Sequence, residues 1–127
     1  MIIDYDAEKP PNPEDWLRED PDVLSLAIEK YHEEQGIDPG EGGMILHALM
    51  HEIVENQIAE DIPSVRSAIE RLIRQGLSRH DSIHAVASVL SEDIFRSLKG
   101  EIEAFDITKY RMRLEKLTAK KWKKGKL

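Results

Sequence analysis

The chain contains no cysteine among its 127 residues. A disulfide framework, a thiolate zinc site and a cysteine nucleophile are therefore excluded, and any bound metal must be held by nitrogen and oxygen ligands. No apolar run approaches the roughly 20 residues that span a membrane, and the N-terminal sequence MIIDYDAEKPPNP lacks the basic and apolar regions of a signal peptide. We expect a cytoplasmic protein with no membrane partner.

Charge is unevenly spread along a chain whose net charge is −7. This balance argues against general binding of polyanions, because like charges repel. Residues 4–60 are strongly acidic, whereas the end of the chain, KLTAKKWKKGK, is basic and contains Trp122. The basic tail at residues 119–127 has two interpretations. It binds nucleic acid or an acidic partner weakly, or it is the solvated end of the last helix, the interpretation we favour because cations suit a helix C-terminus.

No stretch of the sequence alternates apolar and polar residues as a half-buried strand does, and no internal repeat is present. Residues 1–19 are predicted to form an extended arm that contains a short helical turn. Asn12 is the predicted cap of this turn and Pro13 its first residue. Trp16 and Leu17 of the turn are predicted to pack inward.

Apolar residues recur at helical spacing between cap and stop signals. The predicted caps and stops are Asp20, Gly36, Pro63, Gly76, Ser78, Gly100 and Asp106. Leu77, after Gly76, is placed for a Schellman contact with Leu72, and Phe105 and Tyr110 are placed for a hydrophobic staple. The stripes predicted to be buried include Ile73, Leu98 and Ile107 at their ends. The prediction is an all-α fold: one domain over residues 20–118, built as a compact bundle of four to five helices.

Four of the five histidines form two pairs, His47/His51 and His80/His84. Residues four apart on a helix lie one above the other on a single face, so each pair is placed to grip one ion. Random placement of five histidines would give two such pairs in roughly one shuffle in a hundred. The pattern therefore indicates a site, although it indicates no reaction.

The second full helix places His47 and His51 on its interior side, with Glu55 one turn beyond His51. Glu52 and Asn56 are predicted to face outward. His32, which lies on the first full helix beside acidic neighbours, is predicted to be a surface histidine.

On the fourth helix, His80 and His84 flank the buried stripe. The small residues Ala87, Ser88 and Ser91 lie nearby and leave room for imidazoles or an ion. We expect the two histidine faces to be opposed.

The more specific of two hypotheses is that these side chains bind a divalent transition metal. Imidazole nitrogen and carboxylate oxygen suit zinc, iron, nickel or manganese. The predicted ligands are His47, His51, Glu55, His80 and His84. An enzyme with this site would be a metal-dependent hydrolase, but a closed ligand set leaves no position for substrate, so catalysis stays an open question.

The alternative is a non-enzymatic helical interaction module whose histidines form a buried hydrogen-bond network. Such a module should expose apolar surface or form a homo-oligomer. Ile45 and Leu49, on the outward side of the second full helix, are the residues that point to it.

Two segments, MHEIVENQ and GLSRHDSIH, resemble a family of uncharacterised bacterial proteins, domain-of-unknown-function family eighteen-forty-one. The resemblance covers about residues 44–118 and leaves the N-terminal forty residues outside. Its marks in this chain are His51, Glu55, Asn56, Gln57, Gly76, Leu77, Arg79, His80 and His84. Asp81 stands where the family is expected to carry glutamate. Because the family has no assigned activity, the resemblance supports the positions of the candidate ligands and implies nothing about chemistry.

Overall fold

The computed structural model describes residues 4–37, 43–101 and 106–125. Within these ranges the regular structure is entirely helical. The helices are α1 (Pro13–Arg18), α2 (Pro21–Gln35), α3 (Gly43–Ala59), α4 (Pro63–Arg74), α5 (Arg79–Leu98), α6 (Ile107–Lys116) and α7 (Ala119–Lys123). The all-α prediction is confirmed, but the predicted count of four to five is too low, because the short helices α1 and α7 have caps of their own.

The contacts within the chain divide it into two compact units, Met1–Ile62 and Pro63–Leu127. We refer to them as unit 1 and unit 2 and describe each by itself; the prediction of one domain over residues 20–118 stays a prediction. In the part of the chain that the structure describes, no helix combines the length and the apolar character that crossing a bilayer requires.

Side-chain caps begin the helices where the sequence predicted them. The oxygen of Asn12 accepts from the backbone N–H of Asp15 at 3.0 Å, and that of Ser78 accepts from Asp81 at 3.0 Å. Asp20 and Asp106 cap α2 and α6 in the same way. Each cap satisfies a donor that the first helical turn leaves without a partner.

Glycines in the left-handed region end α2 and α4, as predicted. Gly36 has φ 66° and Gly76 has φ 101°, a conformation that side chains with a Cβ rarely adopt. After Gly76, the N–H of Leu77 donates to the carbonyl of Leu72 at 3.1 Å, and Leu77 is buried. This is the Schellman geometry that the sequence predicted.

The core of unit 1 includes part of the arm that precedes α1. Its buried residues are Tyr5, Ala7, Trp16, Leu24, Ile28 and Ala48. The indole N–H of Trp16 donates to Asn56 of α3 at 2.7 Å, which fixes the side of α1 that faces α3. Leu17 lies on the other side and is 47% exposed, so its predicted burial is wrong.

In unit 2, α4 packs on α5 and α6. The predicted stripes are buried along most of their length, but Ile73, Leu98 and Ile107 are exposed. All three lie in the first or last turn of a helix. The predicted contact between Phe105 and Tyr110 involves a position outside the described residues.

The basic end of the chain begins a new helix. α6 ends at Lys116, and the backbone of the next residue, Leu117, is extended. The Thr118 hydroxyl then caps α7 by accepting from Lys121 N–H at 3.1 Å. Ala119 is buried, and its N–H donates to Gln75 of α4 at 2.8 Å. Residues 119–123 therefore form a helix of their own and do not continue the preceding helix, although the lysines of this stretch are exposed.

We predict that Arg71→Met destabilises unit 2. The half-buried Arg71 guanidinium of α4 donates to the carbonyls of Leu114 and Leu117, at the C-terminal end of α6. A hydrogen bond from a charged donor contributes about 1.5–3 kcal/mol, so we expect the loss of these two bonds to lower the free energy of unfolding by at least about 2 kcal/mol. Urea unfolding followed by circular dichroism measures the change.

The matched control for this prediction is Arg74→Met. Arg74 lies almost one turn further along the same helix and is exposed. Surface substitutions of this kind change stability by about 0.5 kcal/mol or less. If both variants lose the same free energy of unfolding, the hydrogen bonds of Arg71 do not stabilise unit 2.

Candidate metal centre

Three histidines of unit 1 lie together where α2 packs on α3. His32 comes from α2, and His47 and His51 come from α3. The ring centroids are 4.5 Å apart for His32 and His47, 4.4 Å for His32 and His51, and 5.0 Å for His47 and His51. One ring nitrogen of each lies within 4.8 Å of those of the other two, so the group could hold a metal ion.

The predicted surface position of His32 is wrong, because this side chain is completely buried. Leu24, Ile28 and His32 follow one another at intervals of four residues and therefore lie along one side of α2. The first two are core residues. That spacing was the available signal, and the acidic residues after His32 obscured it.

The hydrogen bond of His32 fixes its tautomer. Its Nδ1 lies 2.8 Å from the carbonyl oxygen of Ile28, which only accepts, so Nδ1 carries the proton. Burial lowers the pKa of His32 below its ordinary value of 6.5, and this desolvation outweighs the bond to Ile28, which favours the charged form. At neutral pH the imidazole is therefore neutral. Its Nε2 carries a lone pair and lies 3.1 Å from Nε2 of His51.

His51 is contacted from its other side by Tyr5. The Tyr5 hydroxyl lies 3.1 Å from Nδ1 of His51 and donates to Glu55 at 2.6 Å. When Glu55 is a carboxylate, the single proton of the hydroxyl points at Glu55, and the phenolic oxygen accepts from Nδ1–H of His51. Nε2 of His51 then also has a lone pair, which faces that of His32. Two such lone pairs at this distance repel unless a cation lies against them.

A second proton arrangement satisfies the same contacts without a cation. If Glu55 carries a proton, it donates to Tyr5, Tyr5 donates to Nδ1 of His51, and Nε2–H of His51 donates to His32. Every donor in this chain then has an acceptor, ending at the carbonyl of Ile28. The same heavy-atom geometry therefore suits either a metal site or a buried hydrogen-bond network.

The predicted outward positions of Glu52 and Asn56 are wrong. Both α1 and α2 pack on α3, so a wider side of this helix is covered than a single neighbour would cover. Glu52 is buried: one carboxylate oxygen accepts from Ser25 at 3.4 Å, while the other, Oε1, has no partner among the described residues. Burial raises the pKa of Glu52, since the charged form loses its hydration.

In unit 2, α5 presents His80 and His84 side by side. Their ring centroids are 4.3 Å apart, as the predicted spacing requires. His80 is buried and His84 half-buried. Nearby, the Ser88 hydroxyl donates to the carbonyl of His84 at 2.8 Å, and the Trp122 indole N–H donates to Ser88 at 3.4 Å. The space beside the small residues of α5 is thus partly taken by Trp122.

Comparison with known proteins identifies a family for this chain. No curated protein and no solved structure matches the chain. The family described as domain of unknown function (DUF1841) matches residues 15–116. This match begins earlier than the predicted resemblance and takes in most of α1 and all of α2, including His32. Because it covers most of the chain and confirms the family indicated by the MHEIVENQ and GLSRHDSIH segments, the protein belongs to the DUF1841 family.

Proposed function

We propose that this protein binds a divalent transition metal through its histidines. The observation that carries the proposal is the pair of Nε2 atoms of His32 and His51, which face each other at 3.1 Å inside unit 1. With Glu55 ionised, both atoms are acceptors that face each other, an arrangement that a cation bound between them stabilises. A divalent cation satisfies two or more imidazoles at once.

The spacing of the nitrogens suits such an ion. Zinc–nitrogen bonds of roughly 2.0–2.1 Å in a tetrahedral site hold two ligands about 3.3 Å apart. The separation of 3.1 Å is close to this value. His47 brings a third imidazole, and the other metals that this nitrogen-rich donor set suits are iron, nickel and manganese. Glu55 stays a proposed ligand, since its carboxylate accepts from the Tyr5 hydroxyl that contacts His51.

The proposed ligand set also includes His80 and His84. Their side-by-side imidazoles on α5 are two nitrogen donors at the spacing expected for one ion. We propose no reaction. If the metal is catalytic, a hydrolase that activates water is the class that fits, and it requires a coordination position that the ligands leave open.

The second candidate function is a helical interaction module with structural histidines. The complete donor chain from Glu55 to the carbonyl of Ile28 favours it, because that chain needs no ion. Ile45 is 79% exposed and Leu49 43% exposed on α3, so a homo-oligomer formed through this side stays a proposal. The exposed lysines of α7 are the candidate contacts for an acidic partner or for weak nucleic-acid binding.

We predict that protein purified without added metal or an affinity tag of histidines retains at least one transition-metal ion per chain. His51→Gln should abolish retention in unit 1, since it removes the imidazole that faces His32. His80→Gln and His84→Gln should each lower the metal content as well. Elemental analysis by mass spectrometry measures the metal directly.

The matched control for metal retention is Leu49→Ala, an exposed position two residues before His51 on the same helix. It should leave the metal content unchanged. Wild-type protein without metal, whose melting temperature does not respond to a chelator, would contradict the proposal and favour the hydrogen-bond network.

We predict that the metal-free protein loses stability as pH falls below about 6.5. Unfolded His32 takes up a proton near 6.5, whereas burial lowers the pKa of folded His32. Between the two values the unfolded chain binds more protons, so acid favours unfolding. The stabilising contribution is complete above 6.5 and declines as pH falls through the folded pKa. Urea midpoints between pH 5 and 7.5, measured in chelator, should vary less with pH in His32→Gln than in wild type. Parallel profiles would contradict this assignment.

A further inference from the structure

The Tyr5 side chain belongs to the arm before α1, yet it reaches the histidines of unit 1. Its ring packs against Trp16, with centroids 5.6 Å apart, and meets Tyr31 edge-on at 5.5 Å. Only 7% of the residue is exposed. Three neighbouring rings thus hold Tyr5, including that of His51, which it meets edge-on at 6.1 Å. The hydroxyl is consequently delivered to one place, between His51 and Glu55.

We infer that Tyr5, held by Glu55, is the positioning residue that orients His51 for metal binding. The inference rests on the proposed function and identifies how that site is built. It also gives Glu55 a different role from that of a ligand, because Glu55 acts on the metal through Tyr5 and His51.

The distances support the direction of the hydrogen bonds. The contact from Tyr5 to Glu55 is 2.6 Å, within the range of a hydroxyl donating to a carboxylate, whereas the contact to His51 is 3.1 Å. In the metal-bound arrangement the hydroxyl proton lies towards Glu55. The phenolic oxygen accepts from Nδ1–H of His51, which leaves Nε2 as the metal-binding atom.

Such partners are common behind metal-bound histidines. A group that accepts the N–H of a ligating imidazole fixes its tautomer and ring orientation and makes the other nitrogen more basic, and its loss typically weakens metal binding about 10–100-fold. His32 has the equivalent partner in the carbonyl of Ile28, at 2.8 Å. The two facing histidines are therefore both oriented through Nδ1, one by the backbone and one by Tyr5.

The location of Tyr5 links the arm to the metal. The segment around Tyr5 is not helical, and it is attached to unit 1 through Tyr5 and Ala7, both of them buried. If Tyr5 raises the affinity for metal, metal must by thermodynamic linkage stabilise the docked arm to the same degree.

The test is a double-mutant cycle on the full chain with Zn²⁺ as the probe. Zinc dissociation constants are measured by competition with a chromophoric chelator for wild type, Tyr5→Phe, Glu55→Gln and the double variant. Tyr5→Phe keeps the ring packing and removes only the hydroxyl, and we expect it to weaken binding about 10–100-fold. Glu55→Gln should weaken it too, and the double variant should bind no more weakly than the weaker single variant, because both changes break one chain of interactions.

A spectroscopic readout separates positioning from structural damage. The visible absorption of Co²⁺ depends on its ligands and on their geometry. Tyr5→Phe should therefore alter the spectrum of bound Co²⁺, while thermal melting in chelator should show a folded apoprotein. Tyr110→Phe, which removes a buried phenol hydroxyl from unit 2, is the matched control and should leave zinc affinity unchanged. If Tyr5→Phe fails to fold, the zinc affinity and the Co²⁺ spectrum of Glu55→Gln test the positioning role instead.

The outcomes distinguish the two proposals. If wild type binds zinc and Tyr5→Phe binds it equally well with the same Co²⁺ spectrum, the positioning role is overturned and the metal site stands. If Glu55→Gln weakens binding by the same factor with and without the Tyr5 hydroxyl, Glu55 is a direct ligand and the inference is overturned. If wild type binds neither ion, the proposed function itself fails.

Discussion

The constraint on which unit 1 depends is the burial of imidazoles with every ring nitrogen requiring a partner. A buried polar atom without one costs free energy comparable to a lost hydrogen bond. His32 meets this requirement through the carbonyl of Ile28, and His51 meets it through Tyr5. The remaining nitrogens face one another, so the packing of α2 on α3 brings together donors for a cation or commits the protein to one particular arrangement of protons.

The rest of unit 1 keeps this arrangement in place. Asn56 accepts from the Trp16 indole, which ties α1 to α3, and the Trp16 ring in turn packs against Tyr5. A path of contacts thus runs from α3 through α1 to the arm and back to Glu55 on α3. Coverage of α3 by two helices also explains why Glu52 is buried with a raised pKa, although its place on the helix resembles a solvent-facing one.

In unit 2, both histidines come from a single helix. α5 carries both His80 and His84 on one side, and the helices around it are joined by charged and polar side chains. Arg113 of α6 pairs with Asp93 and with Glu92 of α5. Together with the bonds that Arg71 makes to the end of α6, these contacts fix α5 among its neighbours and hence the direction in which its imidazoles project.

The sequence by itself determined the local features of this protein. Caps such as Ser78, stops such as Gly76, the all-α class and the two histidine pairs depend on residues within one or two helical turns, where spacing and side-chain chemistry act directly. The family was likewise readable from two short segments.

Only the tertiary structure decided which sides of the helices are covered and which distant residues meet. His32 is 19 positions from His51 and Tyr5 is 50 from Glu55, and no periodicity within one helix encodes such contacts. The same limit explains the wrong assignments of Leu17, Glu52 and the terminal stripe residues. The side of a helix that is buried depends on how many neighbours pack against it and where they end, and that is set by the fold as a whole.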